Sequence, residues 1–554
     1  MNHRNIPILF ILFLLLAGCS GAAPDGNEGA EDNEPVVLRV GRAGSPDTLN
    51  PGAAQITYAF ETNDLVYDSM YQFNTDGTYS LELAEGVEVS NDGLIWTFKI
   101  RAGFTFHDGE PLTADDIPFS YNFYQSTPEF PFLPGYTQFF ESVEAPDEST
   151  VIITLSEALP NLESQLIYLF VLPEHIWGSL EQAPAEFENL EMVGSGPFQL
   201  VEYSQDEFIH LASTHEHPLY SPHIDEIIIQ KFDNHDALAQ ALRTGQVDMI
   251  TEMPNTAVPS LKDEANIEVA SGPFFNPSVD TIFFNLMDDE NCPEDGGICT
   301  GHPALRDRQV RLALAHATDK QKLLDVVLLG LGDPGLTLVP SGMQPFFNDS
   351  LEDYVFDIEL ANTILDDAGY LDSDGDEVRE MPDGSQSLSI RLNYQDDIPN
   401  SPRLSELLKE MWAEIGVSAE IQGLEFDALL ATCCPTFDYD VILWGWAGDP
   451  DPGFLLSILT TDSIPIGNNE TGYSNPIYDG LFDQQQSELD KATRLDLVWE
   501  MQRIALEDIA YIIPYYSHAV QAYRTDQFTG WPVAEDGRQA FEHITSLIAV
   551  EPVR

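Results

Sequence analysis

Runs with the two-residue period of a strand are interleaved with runs of helical period along nearly the whole chain after residue 35, and few folds accept that mixture. Residues 36–40 alternate as a strand. Val87 and Val89 lead into Asn91-Asp92-Gly93, a tight hairpin signal, after which Leu94, Trp96, Phe98 and Ile100 alternate with polar neighbours. Thr113 is placed as an N-cap, with Asp115 and Asp116 in the first turn of a helix that runs on through Phe119, Tyr121 and Phe123. Helices are predicted over 60–70, 237–244, 306–329, 358–368 and 404–415, with Gly245, Gly369 and Gly416 placed as C-caps. Strands are predicted over 151–155, 227–231, 417–421 and 439–444. The fold class is α/β, and 554 residues exceed one ordinary core, so two or three domains are expected.

Charge narrows the function. The chain has 93 acidic and 23 basic residues, a formal net charge of −70. Such a surface repels phosphate backbones, which excludes nucleic acid as a partner, and it suits anionic lipid head groups poorly. It is not a disordered acidic tail, because 43% of residues are hydrophobic and 10% aromatic, enough to build cores.

The first residues read as an address. His3 and Arg4 precede an apolar run over 6–16, which is shorter than the roughly 20 residues of a membrane span. Leu16-Ala17-Gly18-Cys19 resembles the bacterial lipobox. That resemblance implies a signal peptide over 1–18, lipidation of Cys19 and a flexible tether over 19–35. The alternative is an ordinary signal with a chance Cys. Without Cys19, four cysteines remain. In an oxidising compartment they suggest disulfides with three connectivities. Cys292 and Cys299 flank a turn-rich loop that could be stapled locally. Cys433 and Cys434 either form a vicinal disulfide or pair elsewhere. A zinc site is disfavoured because CxxC spacing is absent.

Several ordered landmarks resemble one family. The stretch 91–101, followed by Phe106-His107-Asp108-Gly109-Glu110-Pro111-Leu112-Thr113-Ala114-Asp115-Asp116, is similar to the signature of the family 5 extracellular solute-binding proteins. These are peptide, nickel and related receptors of bacterial ABC importers. Gly194-Ser195-Gly196-Pro197-Phe198, Leu242-Arg243-Thr244-Gly245, Phe284-Asn285, the stretch 310–315 and Gly445-Trp446-Ala447-Gly448-Asp449 continue the match in order. The resemblance implies the two-lobed periplasmic-binding-protein-like fold, type II, of the large class with an extra subdomain. Lobe I would take 36–275 with the subdomain over about 75–189. Lobe II would take 276–513, and 514–554 would return to lobe I. It implies hinge closure over a peptide, with permease and ATPase subunits as partners and a monomeric, exported, lipid-anchored receptor without catalysis. The same scaffold with a nickel chelate or an oligosaccharide is the alternative, and an exported hydrolase is a remote one, lacking a Gly-x-Ser-x-Gly or His-Glu-x-x-His motif.

Ligand contacts follow from the same resemblance. Asp449 is expected to receive a peptide α-ammonium through a charge-assisted hydrogen bond, with Asp451 its rival. Trp446, Gly448, Gln395 and Asn285 are further expected contacts. Gln395 stands where dipeptide receptors carry a carboxylate-binding Arg, which favours longer peptides. No cofactor is expected. A weak calcium pattern in Asp372, Asp374 and Asp376, with Glu380 and Asp383, departs from the EF-hand loop in the places of its Gly and its last acid. His210, His215, His217 and His223 cluster in sequence as a minor metal candidate. Gly330-Leu331-Gly332-Asp333-Pro334-Gly335 satisfies GxGxxG but follows a helix, so a dinucleotide site is not expected. The acidity suits a saline habitat, where salt screens self-repulsion. Added NaCl is therefore expected to raise the melting temperature; a flat or falling melting temperature counts against that adaptation.

Overall fold

The computed structural model describes residues 34–288, 291–396, 398–464, 468–535 and 537–553. The expected signal peptide, Cys19 and almost all of the tether lie outside them. Two large sheets organise the chain from Val36 onward. Their strands are β1 (Val37–Arg42), β2 (Phe198–Ser204), β3 (Phe208–Ser213), β4 (Glu226–Lys231), β5 (Met249–Ile250), β6 (Ile267–Pro273), β7 (Ser278–Phe284), β8 (Gly332–Pro334), β9 (Ser389–Gln395), β10 (Ser418–Leu424), β11 (Val441–Ala447), β12 (Tyr511–Ile512) and β13 (Tyr515–Arg524).

The first sheet runs β6-β13-β5-β1-β4-β3-β2, with β8 also on β13. At its centre β1 has parallel neighbours on both sides, β4 and β5. The second sheet runs β10-β9-β11-β7-β12. The chain passes from the first sheet to the second through residues 274–277, between β6 and β7, and back through 513–514, between β12 and β13. A smaller four-stranded sheet is made by Ala84–Val89, Ile95–Ile100, Phe140–Asp147 and Thr150–Leu155.

Four cores hold these layers. One fuses a face of the first sheet (Leu38, Ile227) to the small sheet (Phe98, Ile153). Another packs the helix His235–Thr244 on Ile250 and Ala522. The second sheet is covered on one face by Trp412 and Leu408 of helix Ser401–Ala413. On its other face Val498 and Met501 of helix Lys491–Asp508 pack with Phe283 and Ile442.

Local signals were realised unevenly. The hairpin at Gly93 forms with φ +71°, and Gly245, Gly369 and Gly416 take φ +72°, +86° and +73° at helix ends, a region L side chains avoid. The predicted helix over 306–329 is two helices, Arg308–Ala317 and Lys320–Val327. Asp319 restarts it by accepting the Lys322 N–H at 3.0 Å. The helix predicted from Thr113 begins at Asp116, and the Thr113 hydroxyl instead donates to the Asp116 carboxylate at 2.9 Å.

Cys292 and Cys299 are joined, with Cα atoms 6.0 Å apart. Their loop is seated by the Ile298 and Cys299 N–H groups, which donate to Thr436 O at 2.8 and 2.9 Å. Cys433 and Cys434 form no disulfide, correcting both expectations for them. Cys433 ends the helix Phe426–Cys433 buried in the core around Leu429, and no other unbonded cysteine exists among the described residues to pair with either thiol.

Candidate functional site

The loop after β11 leaves the second sheet beside the crossover. The Gly448 N–H donates to Pro277 O at 2.8 Å. A Cβ at Gly448 would meet the Leu455 side chain at 2.8 Å, so a bare backbone is what lets the loop lie this close. Two aspartates follow, and the structure separates them.

Asp451 is tied into the scaffold. Arg494 grips it from helix Lys491–Asp508 through two hydrogen bonds of 2.6 and 2.8 Å, and both side chains are 7% exposed. Asp451 Oδ1 also accepts the Gly453 N–H at 2.9 Å, capping the turn. The charge of Asp451 is thus balanced within the protein, and its carboxylate serves the turn and the helix.

Asp449 has no cation beside it among the described residues. Among the described residues no Lys, Arg or His forms an ion pair with it; its nearest polar partner is the Tyr136 hydroxyl at 3.4 Å. Burial, and secondarily the charge of Asp451, push its pKa up to about 6. Tyr136 comes from the short helix Leu133–Thr137 beside the small sheet. It stacks on Tyr168 at 5.5 Å and 14°, and Tyr168 meets Phe60 edge-on at 5.8 Å. An aromatic wall thus runs from Asp449, on the second sheet's side, to the helix α1 (Thr57–Val66) on the first sheet's side. Next to it a cavity opens between the crossovers, lined by Phe73, Phe275, Pro450, Asp333, His518 and Arg538.

The other expected contacts divide. Asn285 is 1% exposed and fully engaged. Its Nδ2 donates to Phe437 O and Tyr439 O at 2.9 and 2.7 Å, and its Oδ1 accepts the Met287 N–H at 3.0 Å. It ties the end of β7 to the chain before β11. The Trp446 indole donates to the Glu470 carboxylate at 3.3 Å and packs edge-on against Phe454. Burial pushes Glu470 up to about 8. Gln395 ends β9, half-buried, in register with Leu424 of β10. Tyr136, Tyr168 and Arg494 were absent from the sequence reading. The aromatics carried no distinguishing pattern, but Arg494 did carry a signal: a basic residue in a long helix of a chain so poor in them.

The remaining motifs take the following places. His210, His215, His217 and His223 each face a different carboxylate, those of Glu226, Asp225, Asp68 and Glu551. Gly332–Pro334 is strand β8 against β13. Oxygens of Asp372, Asp374, Asp376 and Glu380 lie within 4.8 Å of one another at the surface, and each of these carboxylates accepts a backbone N–H of its own loop.

Comparison with known proteins gives the same outline. Residues 78–464 match the family model of bacterial extracellular solute-binding proteins, family 5. A dipeptide-binding protein of Pseudomonas aeruginosa is 26% identical over 532 residues, 90% of this chain and 92% of that one. The oligopeptide-binding protein AppA of Bacillus subtilis, solved with a nonapeptide, superposes with TM-score 0.72 at 22% identity, covering 94% of this chain and 100% of that chain. NikA of Brucella suis, solved with Fe(III)-EDTA, superposes with TM-score 0.79 at 21% identity, covering 93% and 100%.

Replacing Arg494 with Ala leaves Asp451 buried and unpaired. It is expected to cost about 3–5 kcal/mol in urea unfolding. The double replacement Asp451→Asn, Arg494→Met should recover part of that loss, whereas a loss below about 1 kcal/mol for Arg494→Ala would contradict a structural role.

Proposed function

Since this chain belongs to the bacterial extracellular solute-binding proteins of family 5, we propose that it is the peptide receptor of an ABC importer, taking oligopeptides in preference to dipeptides and delivering them to permease and ATPase subunits. One observation carries the peptide reading. Of two neighbouring aspartates in the cleft loop, Asp451 is neutralised by Arg494, while Asp449 faces the aromatic wall with no cation beside it. A carboxylate held in that state is suited to an ammonium group. The ligand's charge replaces the one the protein withholds, and the low-polarity surroundings strengthen the contact. The names of similar proteins support the same class of solute. An anionic metal chelate would meet Asp449 as a repulsive charge, which disfavours the nickel alternative.

The two sheets, linked by short crossovers, are read as lobes that close on the ligand. Family members are extracellular solute-binding proteins, and among the described residues no helix is long and apolar enough to cross a membrane. Anchoring through a lipid on Cys19, monomeric action and the absence of catalysis belong to the same proposal.

The replacement Asp449→Asn is expected to weaken binding of a free-amine peptide about 30-fold or more by calorimetry. Peptide affinity should be bell-shaped in pH. It falls below about 6 as Asp449 takes up a proton, and above about 8 as the peptide α-ammonium loses one. In the ligand-free protein the sign is opposite. A carboxyl with a raised folded-state pKa favours folding at low pH and loses that contribution as pH rises through about 6. Ligand-free Asp449→Asn should therefore melt no lower than the wild type at neutral pH. Unchanged peptide affinity in the variant would refute the assignment.

A further inference from the structure

A second charged cluster lies beyond the carboxyl ends of the parallel strands β1 and β5, the edge at which open α/β sheets present their ligands. Four carboxylates reach it from three segments. Glu61 and Asp64 come from α1, Glu252 from just beyond β5, and Glu542 from the C-terminal segment. One guanidinium faces them. Arg42, the last residue of β1, is 1% exposed. Its Nη2 lies 3.0 Å from Glu61 Oε2, while its Nε and Nη1 have no hydrogen-bond acceptor among the described residues. The Tyr58 ring lies 5.7 Å from the guanidinium, and the Tyr58 hydroxyl donates to Glu252 at 3.3 Å. His543 stands 3.5 Å from Asp64, but burial holds its pKa down to about 3, so it adds no charge. Gln521 and Gln72 are neutral donors to Glu542 and Asp64.

We propose that this pocket binds a basic residue of the peptide, its side-chain ammonium among the carboxylates and a backbone carbonyl on the open edge of Arg42; this rests on the peptide reading above. Two demands are unmet in the protein alone. Four carboxylates face one cation; burial and then the charges of Glu542, Glu252 and Asp64 push Glu61 up to about 8, and burial and then the charge of Asp68 push Asp64 up to about 7. A buried guanidinium edge also lacks an acceptor, which a protein interior rarely tolerates. A lysine residue within a peptide answers both, because it brings a cation on a long stem and carbonyl oxygens at its base. A bare metal ion answers neither the Arg42 edge nor the spacing. Among the described residues these carboxylates do not converge as the Asp372 group does. The aromatic wall connects the two sites, since Phe60 of α1 meets Tyr168, and Tyr168 stacks on the Tyr136 that touches Asp449. A peptide whose amino terminus is held at Asp449 would run along those rings towards the pocket.

The test uses the full-length protein and tetra-alanine peptides carrying one lysine or one norleucine at position 2, 3 or 4, with affinities measured by calorimetry at pH 7.5. At one position lysine is expected to bind about tenfold or more tightly than norleucine, a difference of about 1.4 kcal/mol. That ratio should collapse towards one in Glu61→Gln, with Asp64→Asn as the second variant if the first does not fold. Lysine and norleucine peptides binding within about twofold of each other at every position would overturn the pocket and leave the peptide reading standing. Binding of none of the peptides would overturn both.

Discussion

The buried ion pair between Asp451 and Arg494 is the contact on which the cleft depends. It spans the loop after β11 and the helix Lys491–Asp508, two segments that only meet in the folded second lobe. By fixing Asp451 it also braces the turn just before it, at Asp449 and Pro450, and leaves Asp449 as the carboxylate with no ion pair among the described residues. The pair is an allocation of charge as much as a brace. Without it two adjacent carboxylates would compete for any ligand cation and repel each other in a site of low polarity.

Allocation matters because cations are scarce here. With 23 basic residues against 93 acidic ones, several arginines are committed to contacts within the fold. Arg311 donates to the carbonyls of Leu305, Arg306, Asp508 and Ile509, closing a helix end as a cap. Arg391 bridges Asp438 and Asp440 ahead of β11. The excess of negative charge that remains would, on the proposed reading, favour amine-bearing solutes before any specific contact is made.

How much of this could be read in the sequence depended on range. Gly93, Gly369 and Gly416 declared their turns because a positive φ is a local demand that glycine alone meets freely. The break at Thr318–Asp319 was hidden because apolar spacing continues across it, although the Asp319 cap was available as a signal. The helix predicted over 60–70 stops at Val66 for a reason no local pattern holds. Gly194 and Gly196 press on the Val66 carbonyl from 130 residues away in sequence, and the Gly196 N–H donates to it at 2.8 Å. The Gly-Trp-Ala-Gly-Asp stretch pointed to Asp449, whose ligand role is the proposal above. Its separation from Asp451 was not, because that depends on Arg494, 43 residues on. The bonds of Asn285 to Phe437 and Tyr439, more than 150 residues on, were hidden in the same way.

The claim that Asp449 is the carboxylate reserved for a ligand ammonium is tested most directly by a matched pair of peptides, one with a free amino terminus and one N-acetylated, compared by thermal shift on the wild-type protein. The account predicts that the free-amine peptide raises the melting temperature and that its acetylated twin does so far less or not at all. Equal stabilisation by the two would contradict it.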